Sequence, residues 1–241
     1  VAVAQMGLSP WVTVIVSIVV CAVLGVVIEF CAYKPLRQAP PLSVLITAIG
    51  VSYLLQNAAL LIFGSQQMAY PTLVKLPGFS VGGVQVDGIT VLTLAVTATL
   101  MAALTLFIDR ARLGKAMRAV SEDKDAATLM GISVDRTITL TFAIGSALAA
   151  FASLFYGMTY VYIKPTTGAM PGIKAFTAAV FGGIGSIPGA FLGGLLLGII
   201  EAMAKAYIST NLANSIVFAV LIVVLLVKPA GLLGKSVTEK V

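Results

Sequence analysis

The chain has 241 residues, of which 59% are hydrophobic and only 10% charged, and its mean hydropathy is +1.07. Ordinary globular domains carry roughly 25% charged residues, so this composition excludes a water-soluble fold, whose surface could not be built from it. The formal charge of +6 is dispersed among short polar segments and forms no stripe interleaved with aromatics, which argues against nucleic acid as a partner and fits the positive-inside bias of membrane loops.

Six blocks without Asp, Glu, Lys or Arg follow one another: 8–28, 42–63, 88–108, 137–160, 175–200 and 207–227. Crossing a hydrocarbon core of about 30 Å takes roughly 20 helical residues, and one charge at a helix centre costs about 3 kcal/mol. The pattern predicts an all-α, polytopic helical membrane protein with about five full spans, the fifth block being the exception. The first block opens a chain that begins at Val1 with no signal peptide, so a preceding segment is expected. Cys21 and Cys31 are ten residues apart on a helix, about 15 Å, too far for a disulfide. Glu29 falls at the end of this block and Glu201 at the end of the fifth, where snorkelling or pairing at the interface accounts for a charge. In the second block Thr47, Ser52, Gln56 and Asn57 are polar, and Ser52 and Gln56 share a face. Bonding between helices is the favoured role for such side chains; Ser52 and Gln56 are also candidates for the translocation path. The following stretch, 64–87, contains Pro71, Pro77 and a Val-Gly-Gly-Val sequence at 81–84, and reads as an ordered loop with a small hairpin.

Residues 109–136 hold eleven of the chain's twenty-four charges. Ser121 is a plausible N-cap, Glu122 and Asp123 suit a helix start, and Gly131 suits a C′ position, so a short helix is expected over 122–130. Ala126, Ala127, Leu129 and Met130 would give it a small, partly apolar surface fit for a cytoplasmic groove.

The fifth block, 175–200, contains Gly182, Gly183, Gly185, Ser186, Pro188 and Gly189 within eight residues. Glycine costs about 1 kcal/mol and proline about 3 kcal/mol inside a helix, so a broken helix or re-entrant hairpin is expected. Irregular backbone at membrane depth persists only where protein buries it or water lines it, which makes these six residues candidates for a path or gate beside their alternative role in close helix packing. With six simple crossings the Lys and Arg residues divide 9 inside to 6 outside; with a fifth block that returns to its own side they divide 11 to 4, leaving only Lys75, Lys164, Lys174 and Lys205 outside. The second arrangement is preferred, with the tail beyond Lys228 inside. Gly183-x-Gly185 lacks the third glycine and the strand-helix setting of a dinucleotide fingerprint, and 229–236 imitates a P-loop without its first glycine. ATP is therefore expected on another chain. No histidine occurs, no metal-ligand spacing is present, and no catalytic constellation is legible, so neither a cofactor nor an enzymatic activity is expected.

Four stretches, YKPLR at 33–37, LITAIGVSYLLQN at 45–57, RLGKAMRAVSEDKDAATLMGI at 112–132 and KAFTAAVFGGIGSIPGAFLGG at 174–194, carry a resemblance that covers essentially the whole chain. Together they resemble the permease subunits of branched-chain amino-acid ABC transporters, of the LivH type. The resemblance implies a single transmembrane permease domain over 1–241, with 109–136 as a cytoplasmic coupling loop whose contact residues with an ATPase are Glu122, Asp123, Ala126, Ala127, Gly131 and Ile132. It further implies two ABC ATPase subunits, a second homologous permease and a periplasmic amino-acid-binding protein as partners, in the bilayer of a bacterial inner membrane. Members of the family carry further N-terminal membrane segments with an Asn-Phe-Ala-His-Gly-like motif that this chain lacks. A proton-coupled secondary transporter is the first alternative, but it would show ionisable groups at mid-membrane, and no Asp or Glu relay is legible. A non-transporting scaffold is the second, and the irregular fifth block argues against it.

Overall fold

The computed structural model describes residues 10–70, 77–81 and 84–234. Among the described residues nine helices follow in order: α1 (Pro10–Ile28), α2 (Pro41–Phe63), α3 (Gly88–Arg110), α4 (Arg112–Glu122), α5 (Lys124–Leu129), α6 (Val134–Thr159), α7 (Ala169–Gly182), α8 (Ile187–Tyr207) and α9 (Ala213–Val227). Among the described residues five stretches are long and apolar enough to cross a membrane: Trp11–Leu36, Leu42–Phe63, Gly88–Arg110, Val134–Thr159 and Ile187–Tyr207. The protein is thus a polytopic helical membrane protein with five candidate spans. The membership of the five differs from the sequence reading. The fifth block contains a full-length helix, α8, whereas the sixth yields only the 15 residues of α9, about 22 Å. The polar run Ser209, Thr210 and Asn211 accounts for this. Ser209 Oγ accepts from the Asn211 amide at 3.3 Å, a local bond that competes with helix and delays α9 to Ala213.

Contacts divide the chain into two compact units, Val1–Val96 with Phe107–Thr167, and Thr97–Leu106 with Gly168–Val241. In the first, α1 packs along α6. Small residues permit the approach, since a methyl at Gly25 would collide with Ser146 of α6. α1 does not end in a regular cap. It runs into a π-helical turn, Glu29–Tyr33, and then a 3₁₀ turn, Lys34–Leu36, in which Pro35 supplies no amide. α2 then starts on Pro41, whose ring presets φ for a first helical turn. Asp87 caps α3 by accepting from the Ile89 amide at 3.3 Å.

Two short ladders complete this unit. Strands β2 (Phe79–Val81) and β3 (Val84–Val86) pair antiparallel with Val81 opposite Val84, the small hairpin expected there; its Gly82 and Gly83 lie outside the described residues. Strands β1 (Met68–Ala69) and β4 (Tyr162–Ile163) also pair, joining the segments that follow α2 and α6. Two-residue strands leave no period in a sequence, so this pairing was not legible. The Tyr70 ring lies against Gly157, where any Cβ would strike it, and burial pushes the Tyr70 phenol above its ordinary value.

In the second unit α7 and α8 form an antiparallel pair. Gly182 lies beside Gly189, Ala178 beside Gly193, and Lys174 beside Glu201, so contacts run down one helix and up the other. Ala178, Phe181, Leu197 and Val217 form the buried core, extended by Ile200, Val220, Leu221, Val224 and Leu232. α9 supplies Val217 and its neighbours, and so closes the open face of the pair.

Candidate functional site

The charged segment 109–136 is built from two helices and not one. α4 covers Arg112–Glu122 and α5 covers Lys124–Leu129. This corrects the expected helix over 122–130 and its expected N-cap. Ser121 lies in the last turn of α4 and its hydroxyl donates to the Arg118 carbonyl at 2.7 Å, so it is not free to cap. Asp123, one residue beyond α4 and in extended conformation, takes that role. Its Oδ1 accepts from the Asp125 amide at 2.8 Å and the Ala126 amide at 3.0 Å. A carboxylate at that point serves both the unpaired amides and the positive end of the helix. α4 is amphipathic, with Gly114 and Val120 buried, and packs on α6. Gly114 sits against the backbone of Phe107 and Ile108 at the α3–α4 elbow, and Arg118 Nη2 donates to Asp109 Oδ1 at 2.6 Å across it.

The other end of α5 closes as the glycine position implied. Gly131 has φ +82°, a left-handed conformation that glycine adopts without Cβ strain. The Gly131 amide donates to Thr128 O and the Ile132 amide to Ala127 O, both at 3.0 Å, which is the paired bond set of a Schellman motif.

Capped at both ends, α5 presents a defined surface. Leu129 and Met130 stand 89% and 83% exposed, whereas Ala127 is 3% exposed and packs inward. Of the six residues expected to contact a partner, Glu122, Asp123, Ala126 and Gly131 are exposed, Ile132 is half-buried and Ala127 is buried. Asp123 is already occupied as a cap. Leu129 and Met130 are the most exposed large apolar groups of this segment. The sequence showed them as apolar but not which way they face.

The glycine-rich segment resolves into the turn between α7 and α8. Gly183 has φ +112° and Gly185 has φ +89°. Ser186 caps α8, its Oγ accepting from the Gly189 amide at 3.1 Å. Pro188 lies in the first turn of α8, where a missing amide is harmless, so it shapes the helix start and does not cause the break. Gly182 and Gly189 are buried at the crossing, and a methyl on Gly182 would fall on the Gly189 carbonyl. Close packing therefore accounts for Gly182 and Gly189, and turn geometry for Gly183 and Gly185.

The carbonyls freed at the end of α7 are not left open. Residues 228–234 fold back across the turn, and the Leu232 amide donates to Phe181 O at 3.0 Å and the Leu233 amide to Gly182 O at 2.9 Å. Lys228 Nζ donates to Leu232 O at 2.7 Å and steadies the segment. Residues 229–234 of the P-loop imitation thus have a structural role, with Gly231 and Gly234 packed against Gly183, and its Lys235 and Ser236 lie outside the described residues. Ile184 remains at the tip, 77% exposed. At the far end of the pair, Glu201 Oε1 accepts from Lys174 Nζ at 2.8 Å and Lys205 Nζ at 2.6 Å. The beginning of α7 and the end of α8 therefore lie together.

Ser52 and Gln56 lie on α2 in the first unit and bond to each other, Gln56 Nε2 donating to Ser52 Oγ at 3.1 Å. Asn57 Nδ2 donates to the Tyr53 carbonyl at 2.8 Å. Glu29 does not snorkel. It is fully buried, and both of its oxygens are held, Oε1 by Arg37 and Oε2 by Thr139 Oγ1 at 2.8 Å. Arg37 also reaches Asp135, which lies 3.7 Å from Lys34 Nζ. An uncharged block that ends on a Glu eight residues before an Arg was the available signal for the pairing of Glu29 with Arg37. Among the described residues no group of three or more Cys, Asp or Glu side chains is placed to hold a metal.

The sequence pattern of the family described as "Branched-chain amino acid transport system / permease component" matches residues 1–226. The chain is 48% identical over 231 residues to the "High-affinity branched-chain amino acid transport system permease protein BraD" of Pseudomonas aeruginosa, covering 93% of this chain and 75% of that protein. It is 47% identical over 230 residues to the protein LivH of the same description from Escherichia coli K12, covering 93% and 74%. A "Probable branched-chain amino acid transport permease protein LivH" from Methanocaldococcus jannaschii is 29% identical over 244 residues, covering 95% and 76%. No solved structure matches. Helix order, the two-helix charged segment and the glycine-turned pair are thus features of a chain that belongs to the family of branched-chain amino acid transport system permease components.

Proposed function

We propose that this permease forms the translocation path of an ATP-binding-cassette importer for leucine, isoleucine and valine, coupled to ATPase subunits on separate chains. The observation that carries the substrate class is the near half-identity, over 93% of the chain, to permeases named for high-affinity branched-chain amino acid transport. The coupling segment is 109–136, with Leu129 and Met130 entering a groove of the ATPase and Glu122, Ala126, Gly131 and Ile132 around them. Its support is geometric: a short helix capped by Asp123 and Gly131 holds two large apolar side chains out from the fold. Two ATPase subunits, a second homologous permease and a periplasmic amino-acid-binding protein complete the assembly in the inner membrane. Gly182, Gly183, Gly185, Ser186, Pro188 and Gly189 act in the path as a rigid turn; Ser52 and Gln56 contribute polar groups on α2. A passive scaffold is less well supported, because it has no use for a capped apolar projection.

The deciding experiment is radiolabelled leucine uptake by proteoliposomes holding the permease with its ATPase and binding-protein partners. Uptake is expected only with ATP, and isoleucine and valine should compete; ATP-independent uptake driven by a proton gradient would instead make this a secondary transporter. Sidedness is tested separately in a background lacking Cys21 and Cys31. Thr128→Cys should react with an impermeant reagent only from the cytoplasmic side and Ser209→Cys only from the outside. Labelling of both from one side would reject the arrangement with 11 of 15 basic residues inside.

A further inference from the structure

Arg37 joins two carboxylates that differ in setting. Its Nη2 donates to Glu29 Oε1 and its Nη1 to Asp135 Oδ1. The Glu29 side chain is fully buried, whereas that of Asp135 is 64% exposed. Thr139, one turn along α6 from Asp135, holds the second oxygen of Glu29. The guanidinium therefore reaches from inside the α1–α6 contact to the root of the 109–136 segment, because Asp135 lies in the first turn of α6, directly after the loop that ends α5.

Three features set this apart from an ordinary clamp. Glu29 and Arg37 lie in and just after the π and 3₁₀ turns, where the hydrogen-bond register of α1 has already shifted; such turns recur at functional hinges. The linking residue is an arginine, whose fork of five donors can hold carboxylates on two elements at once, as a lysine ammonium cannot. The two arms are also unequal. Releasing Glu29 would strand a charge away from water, whereas Asp135 and its arm of the guanidinium can exchange their bond for hydration. One arm is thus built to persist and the other to open.

We propose that Arg37 is a positioning residue for transport. Displacement of α4 and α5 reaches Asp135 at the start of α6, and Arg37 passes it to the π turn that ends α1 and from there to α2, which packs on that turn. The Asp135 contact opens and closes within the cycle while the Glu29 contact remains. This inference rests on the reading of 109–136 as the coupling segment.

The test uses the whole importer in proteoliposomes, with leucine uptake and ATP hydrolysis measured on the same vesicles and the assembled complex quantified by pull-down. Asp135→Asn weakens the exposed arm and the 3.7 Å ion pair with Lys34 and leaves the buried Glu29–Arg37 pair in place. It is expected to lower leucine taken up per ATP hydrolysed by about fivefold or more, the smallest ratio typical of a lost coupling, at unchanged assembly. Asp135→Glu should restore the ratio, and Arg37→Lys should lower it while leaving Glu29 paired. An unchanged ratio in Asp135→Asn overturns the proposal, as does a parallel fall of uptake and hydrolysis with the amount of assembled complex, which is the signature of a static clamp. Leu129→Asp run beside these variants separates the two readings. If it abolishes stimulated hydrolysis while the Asp135→Asn ratio stays normal, the Arg37 proposal alone fails; if it changes nothing, the coupling reading has failed as well.

Discussion

Gly182→Val is expected to remove nearly all leucine uptake, because α7 and α8 cannot close around any side chain at that position. The Gly189 carbonyl occupies the place a Cβ would take, and the backbone of Ala190 is close behind it. Neither atom belongs to a flexible side chain that could swing away. Overpacking of well-filled cores typically costs about 1–3 kcal/mol, and a backbone collision with no escape belongs at or above the upper end. The same displacement would pull Phe181 and Gly182 away from Leu232 and Leu233, leaving two carbonyls unsatisfied in apolar surroundings. Thermal unfolding of the purified protein in detergent, followed by aggregation onset, should show a large drop in the midpoint. Gly198→Ala is the matched control. Nothing lies within 4 Å of its added methyl, and alanine favours helix over glycine by up to about 1 kcal/mol, so stability should hold or rise. Equal loss in both variants would mean that the close crossing is not what the glycines provide.

Leu129→Asp with Met130→Asp is expected to separate the permease from its ATPase without unfolding it. Both side chains are exposed, and two carboxylates at the C-terminal end of α5 oppose its dipole by only about 0.3–1 kcal/mol each. A large apolar anchor at the centre of an interface contributes about 2 kcal/mol or more, so burying two new charges in the same groove should lower co-purification of the ATPase more than tenfold, given that 1.4 kcal/mol is a factor of ten. Ala127→Gly, at a buried position facing away, should act only through helix stability. If the double variant retains the ATPase while Glu122→Lys releases it, the contact is made at the junction of α4 and α5 and not by the apolar end of α5. Charge reversal at Asp123 cannot serve this purpose, since its carboxylate holds two amides of α5 and its loss costs the helix about 1 kcal/mol by itself.

How much of this was legible in the sequence follows from the range of each interaction. Long uncharged blocks report directly on the membrane, because a single charge is so costly there, and the helical polytopic class was readable from them. Gly131 was readable as a terminator because the requirement is local to one residue. Ser121 and Asp123 are both plausible caps two residues apart, and only the geometry of the α4 end reveals that Ser121 bonds backward to Arg118 while Asp123 is free to bond forward. The division between α8 and α9 is hidden in the sequence for a similar reason. No charge interrupts residues 206–212, yet Ser209 and Asn211 redirect the backbone. Nothing local could have revealed that residues 228–234 serve the glycine turn, or that Arg37 bridges Glu29 to a residue 98 positions away. Those partners meet only in three dimensions.

The fold-back of residues 228–234 also sets an order for biogenesis. When α7 and α8 leave the translocon they can form their crossing, but the carbonyls of Phe181 and Gly182 have no protein donors until α9 has been made and the chain beyond it has turned back. The second unit therefore reaches its hydrogen-bonded state only after residues 228–234 have been made, and that segment acts as a latch. A nascent chain arrested within α9 would display an unlatched turn that membrane quality-control proteases could recognise, whereas one released after Gly234 would not.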